Sequence, residues 1–465
     1  MKLPESVELS AFVDTSAAVT STLDDDASSW GLRGDMLREQ KLLAPGGPVD
    51  PSDWRHPDVG WGVVMADDDA VSVADRAAGA DAPAAVRRLL AARHGSPVLR
   101  YRPELGTDRL MRYGSDGSKQ PPEIGVSVFG TGPGRIPRYL LIVGDPTVVP
   151  WRLQFALNRR HLVGRIDLPD EALERYVDAL LTDWAGLEPD PGAALVWSTD
   201  HDSMTQKMDV TVAIQVDAAL RSDAELTVRR ISGAGATHAA LRDALAASHP
   251  ALVVTSSHGM TGPLEDPVAM RATLGLPVDQ DHEALDPLAL LGSWQPGGSI
   301  WFAQACCSAG SNLGTSYDGL LAEGSLAKRV VDGVASLGPQ LSPLPQALLG
   351  ADQPLRAFMG HVEPTFDWTL FIPDTGQHVV TELVRGVYPR LFQRQPIGLA
   401  LADYYAGVGA LYGKLSDAHN DVDAAVPGAR DRAMYFKLTA LDRESLVLLG
   451  DPTVMAPLLP SQQTD

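Results

Sequence analysis

Two unbroken apolar runs, each ending in a block of chemically versatile residues, constrain this chain more than any other feature. Residues 251–255 lead into Ser256-Ser257-His258-Gly259, and residues 299–303 lead into Gln304-Ala305-Cys306-Cys307. A short apolar run without polar alternation is the pattern of a strand covered on both faces, as in a parallel sheet. The chain around these runs alternates. Strand patterns at 193–198, 226–231, 251–255, 299–303 and 357–361 are separated by helical patterns at 203–220, 237–247 and 318–331, with a further helix over 376–392. Such alternation predicts an α/β fold with a mostly parallel sheet flanked by helices.

Upstream, residues 139–143 form another apolar run that ends in Gly144-Asp145-Pro146, a strand followed by a turn. Helices are expected over 84–94 and 169–183, the second with Asp and Glu in its first turn. The Gly- and Pro-rich stretch 186–192 is taken as the main boundary. Three regions follow: 1–134, whose role the sequence leaves open; 135–190, a first α/β subdomain that draws on part of the N-terminal region; and 191–465, a larger α/β subdomain. One motif repeats. Leu-Leu-Ile-Val-Gly-Asp-Pro-Thr-Val at 140–148 returns as Leu-Val-Leu-Leu-Gly-Asp-Pro-Thr-Val at 446–454. Either two strand ends need the same turn, which Asp-Pro initiates well, or two related subdomains are present.

Composition bounds the function. With 465 residues the chain exceeds a single core, and its 45% hydrophobic and 21% charged residues are those of a globular protein. A formal net charge of −21 argues against nucleic acid and anionic membrane surfaces as partners. No apolar stretch reaches bilayer length, and the N-terminus lacks the apolar core of a secretory signal. The two cysteines, Cys306 and Cys307, are adjacent and poorly placed for a structural bridge. Without a disulfide framework, a reducing cytoplasm is the expected compartment.

In open parallel sheets, sites form at the C-terminal ends of strands. His258 and Cys306 both fall there. An imidazole beside a thiol can take its proton and leave a strong nucleophile. The backbone N–H groups of Gly259 and Cys306 could then hold a developing oxyanion. Taken singly, a histidine after a strand is more often structural, and a buried cysteine more often a small hydrophobe. It is the pairing, with histidine first, that is specific.

His-Gly after one apolar block and Gln-Ala-Cys after a later one resemble the cysteine peptidases of the caspase clan. Within that clan the gingipain-type family is the nearest likeness. The segments 139–145, 161–166 and 448–453 also resemble that family's strand and Gly-Asp turn, its Gly-Arg-Ile segment and its closing strand. The resemblance covers about residues 139–457. It implies a caspase/gingipain-like fold of two α/β subdomains and cysteine endopeptidase activity on protein or peptide substrates. It places His258 as base and Cys306 as nucleophile. Gingipains are secreted, and the missing signal departs from them; analogy with intracellular members of the clan implies instead a role in regulation, cell death or defence, with a regulatory protein as a candidate partner.

The same resemblance makes the loop after strand 193–198 a source of specificity. Asp200 or Asp202 there would favour Arg or Lys in the substrate, and Gln304 would line the pocket. Asp200 could instead orient His258, and the plain reading of this loop is an Asp that caps the helix at Ser203. No cofactor is expected. Asp279, Asp281, His282, Glu283 and Asp286 could hold calcium, although a solvated loop is the commoner meaning of such a cluster. Two readings compete with a peptidase: a catalytically idle protein-binding module, and a redox or acyl-transfer role for the vicinal cysteines.

Overall fold

The computed structural model describes residues 5–13, 18–32, 49–187, 189–371 and 381–462. Twelve strands form one continuous sheet. They are β1 (Trp61–Ala66), β2 (Val98–Tyr101), β3 (Met111–Tyr113), β4 (Lys119–Gln120), β5 (Tyr139–Val143), β6 (Leu162–Ile166), β7 (Asp190–Ser198), β8 (Thr227–Ser232), β9 (Pro250–Ser256), β10 (Ile300–Gln304), β11 (Ala357–His361) and β12 (Leu446–Leu449). Their order across the sheet is β8-β7-β9-β10-β11-β12-β6-β5-β1-β2-β3-β4.

Ten of the strands form two parallel sets of opposite direction, and β3 and β4 add antiparallel at one edge. β8, β7, β9, β10 and β11 are mutually parallel, and so are β12, β6, β5, β1 and β2. They meet where β11 pairs antiparallel with β12, with Phe358 opposite Leu449. The C-terminal strand ends of the two halves therefore lie at opposite edges of the sheet. The boundary expected at 186–192 falls at the start of β7, within a sheet that runs on without a break. The C-terminal strand β12 joins the first half rather than the second.

The central strands form where the sequence is most apolar. All five residues of β5, β10 and β11 are buried, as are all seven of β9. Helices Asp170–Leu181, His238–Ser248 and Leu326–Ser336 turn apolar faces inward. The expected helix over 203–220 is present as Ser203–Met208, a π turn at Asp209–Ala213 and Ile214–Arg221. The helix expected at 318–331 starts later, at Leu326, because the Ser325 hydroxyl caps Lys328 N–H and Gly319 and Gly324 adopt positive φ just before it. The helix expected over 376–392 begins outside the described residues; Thr381–Val387 is helical.

The repeated motif supplies β5 and β12, which flank β6 on either side. Each runs into a glycine at positive φ, Gly144 (126°) and Gly450 (110°), and then an Asp whose carboxylate accepts the N–H two residues on. The buried Arg165 on β6 donates to the carbonyl of Gly144 and ties one of these turns to its neighbour.

The N-terminal residues form a small antiparallel ribbon, Ser6–Leu9 against Val19–Thr22. It packs into a hydrophobic cluster separate from the main core, with Val7, Leu9, Trp30, Cys306, Phe366 and Trp368 among its members. Among the described residues no helix is long and apolar enough to cross a membrane.

Candidate active site

Ser256 on β9 is paired with Gln304 on β10. His258 and Cys306 thus lie two residues beyond the paired ends of neighbouring parallel strands. The two turns are in intimate contact. A Cβ built on Gly259 would lie 1.9 Å from the Cys306 carbonyl oxygen. Gly259 is needed for this close approach rather than for a sharp turn, since it is absent from the positive-φ glycines of the described residues.

His258 is 2% exposed. Its Nε2 lies 2.8 Å from Asp202 Oδ2. Its Nδ1 is buried and has no hydrogen-bond partner among the described residues. The loop after β7 supplies Asp202, whose other oxygen, Oδ1, accepts the Thr205 N–H at 3.0 Å and caps the helix that starts at Ser203. One carboxylate thus caps a helix with one oxygen and holds the imidazole with the other. Burial alone would push Asp202 up, but the His258 and Thr205 hydrogen bonds hold it well below the usual carboxylate range. An anion fixed at Nε2 favours the proton there, which leaves Nδ1 as the free base.

The sequence expectation had Asp200 as the alternative partner of His258 and either Asp200 or Asp202 in a pocket for an Arg or Lys side chain, beside the plain reading of an Asp that caps the helix. Asp202, not Asp200, meets His258, and it also caps the helix at Ser203. Asp200 is exposed, accepts from the Gln206 amide and receives no bond from His258. Asp202 is committed to the imidazole and the helix cap. The physical reason is the N-cap: fixing Asp202 at the helix start aims its free oxygen at β9. Gln304 is buried at the end of β10, and its carbonyl accepts the Ser257 N–H.

Cys306 is fully buried, and burial pushes its thiol up to about 12. Its Sγ accepts the Thr365 N–H at 3.1 Å. Cys307 adopts a positive φ of 55° in the following turn. Its N–H donates to the Glu363 carbonyl, its carbonyl accepts from Ser342, and burial raises its thiol well above the usual value. A ring stack backs the imidazole: His201 lies parallel to His258 at 5.7 Å and anchors its own Nε2 on the Asp279 carbonyl at 2.7 Å.

Sequence reasoning missed His201 and Thr365. The first sits in the Asp-His-Asp loop already singled out, so its place at a strand end was a usable signal. The second lies in irregular chain after β11, where nothing marks it. The acidic cluster is engaged in turn chemistry: Asp279 accepts three backbone N–H groups, from His238, Asp281 and Glu283, and Asp286 caps Leu288. Among the described residues no three His, Cys, Asp or Glu side chains are grouped to hold a metal ion.

No family model matches the chain, and no curated protein matches it.

Proposed function

We propose that the chain is a cysteine endopeptidase of the caspase–gingipain type, acting on protein or peptide substrates. The observation that carries this reading is the Asp202–His258 pair, in which the imidazole is buried and its unpartnered Nδ1 lies in the turn packed against Cys306. In the reaction His258 takes the Cys306 proton, and the thiolate attacks the substrate carbonyl. The oxyanion forms within reach of the Gly259 N–H. The C–N bond breaks as His258 returns the proton to the leaving amine. Water, deprotonated by His258, then hydrolyses the thioester and regenerates the thiol. Asp202 holds the imidazole in orientation and steadies its cation. A cytoplasmic setting, a regulatory or defence role and a regulatory protein partner belong to the same proposal; the paucity of cysteines supports the first.

A second reading, an idle binding module, is favoured by one observation: Cys306 is covered and its thiol pushed up to about 12. Hydrolysis of a fluorogenic peptide library by wild type and Cys306→Ala separates the two. Cleavage that disappears in the variant supports the peptidase. Equal signals from both proteins, or none from protein whose Cys306 is alkylated readily, leave the binding module.

A further inference from the structure

The chain lays its own N-terminal segment across the proposed catalytic groups. The ribbon Ser6–Leu9 and Val19–Thr22 leads residues 10–13 over the ends of β9 and β10. The Ser10 carbonyl accepts the Gly259 N–H at 3.1 Å, and the Ser10 N–H donates to the Thr365 carbonyl at 3.2 Å. The Ser10 backbone N–H also lies against the Cys306 thiol. On one side, Leu9 bridges Phe366 in antiparallel sense, and Glu8 N–H reaches Asp367 Oδ1. On the other, Ala11–Phe12 pairs in parallel with Gly259–Met260, and the Phe12 carbonyl accepts the Thr261 N–H.

This is how an extended peptide binds by strand addition, with main-chain bonds for affinity and alternate side chains for selection. Its one distinguishing bond is Ser10 C=O to Gly259 N–H, the donor assigned above to the oxyanion. We propose that residues 6–13 are a built-in pseudosubstrate, and that the cleft they fill takes extended peptides with a small residue on the acyl side of the scissile bond. The proposal rests on the peptidase reading and deepens it.

Side chains give the selectivity. Ser10 is fully buried, and its hydroxyl donates to the Ser257 carbonyl. A long cationic side chain placed there would meet that packed surface. Leu9, also fully buried, sits in the cluster with Phe366 and Trp368 and marks an apolar preference one residue earlier. Glu8 is held by Lys207, which also binds Asp367 at 2.8 Å, and by the Ser203 hydroxyl. Phe12 stacks on His282 at 5.3 Å beyond the scissile position.

The test is alkylation of full-length protein by iodoacetamide, with Cys306 and Cys307 resolved by peptide mapping. Wild type should label Cys306 slowly. Ser10→Pro, which removes the N–H given to Thr365, should label it at least tenfold faster. A synthetic peptide of residues 6–13 should restore protection, and its Ser10→Arg version should not. If Ser10→Pro fails to fold, Phe12→Ala, which removes the ring packed on His282 and His201, serves in its place. Rapid labelling of wild type, or unchanged labelling in a folded variant, overturns the proposal, and so does equal protection by the two peptides. Labelling needs no turnover: faster labelling without peptide hydrolysis would sink the peptidase and leave the docked segment standing. Hydrolysis by wild type with labelling unchanged in the variants would do the reverse.

Discussion

Asp451 and Asp202 each follow an apolar strand of the same sheet, in opposite halves, and their environments are opposite in kind. Asp451 is fully buried and saturated. It accepts from Trp61 Nε1 at 3.1 Å, Arg93 at 3.0 Å and the Thr453 N–H at 2.8 Å, and its own N–H donates to the Tyr176 hydroxyl. Asp202 spends one oxygen on a helix cap and the other on an imidazole whose second nitrogen is left unpartnered. A buried polar atom without a partner costs free energy, so one next to Gly259, whose backbone packs on Cys306, invites a chemical explanation. The lesson is that two carboxylates after strands of one sheet differ in what they hold: Asp451 holds groups of the scaffold alone, and Asp202 holds an imidazole with a nitrogen left over.

Exchanging the roles of these two carboxylates gives the largest effects. Asp202→Asn keeps a good helix cap but removes the anion behind His258. Peptide hydrolysis should fall about 10²- to 10⁴-fold while the melting temperature hardly moves. Asp451→Ala should do the opposite. It strands Arg93 without its carboxylate and should cost about 3–5 kcal/mol in denaturant unfolding, with Cys306 labelling in the folded fraction unchanged. Loss of activity in the second variant at full folding would break the distinction.

The next contrast uses two glycines in equivalent straits. A Cβ on Gly164 would lie 2.0 Å from the Gly450 carbonyl oxygen, much as one on Gly259 would lie 1.9 Å from that of Cys306. Both Gly→Ala changes force backbone apart and should cost about 1–3 kcal/mol or more. Only Gly259→Ala should also lower kcat among molecules that remain folded, because it shifts the oxyanion donor. Equal kcat losses would mean that the two edges of the sheet are not functionally distinct.

The smallest effect concerns Glu363, beside the Cys307 turn. Burial pushes its carboxyl up to about 7, and it is bonded to the neutral Asn312, with Asp442 and Glu444 near it and Arg152 opposing them. A carboxyl raised in the fold binds its proton more tightly than in the unfolded chain, so stability must fall as pH rises from about 4.5 to about 7 and stay lowered above that. Glu363→Gln should remove part of that slope and raise stability at pH 8 by on the order of 2 kcal/mol. Asp442, likewise pushed up to about 7 by burial, keeps the remainder. Unfolding curves at pH 5 and pH 8 measure both; a slope unchanged by the substitution would remove Glu363 from the explanation.

What the sequence made legible follows from burial. β5 and β11 appear at their expected bounds, and β9 and β10 within a residue at each end, because strands covered on both faces read as unbroken apolar runs. β2 escaped notice because its four residues include Arg100, a fully buried charge neutralised by Asp81. The 22-residue helix Ala402–Asp423 escaped because Gly407, Gly409 and Gly413 weaken the local helical pattern; tertiary packing of Tyr404, Val408, Leu411 and Leu415 overrides them. At the site, His258 and Cys306 were visible as residues after strands. The part of Asp202 depended on which of its two oxygens faced which partner. The covering segment was invisible, since residues 6–13 meet Gly259 and Thr365 across hundreds of positions in sequence.

The most direct measurement is the pH profile of Cys306 alkylation with the covering segment loosened by Ser10→Pro, with and without His258→Ala. If His258 is the base, the thiol should react at pH values well below 8.5, the ordinary thiol range, and the histidine substitution should move the profile upward by a unit or more. An identical profile in both proteins would contradict the pairing of His258 with Cys306 and, with it, the proposed chemistry.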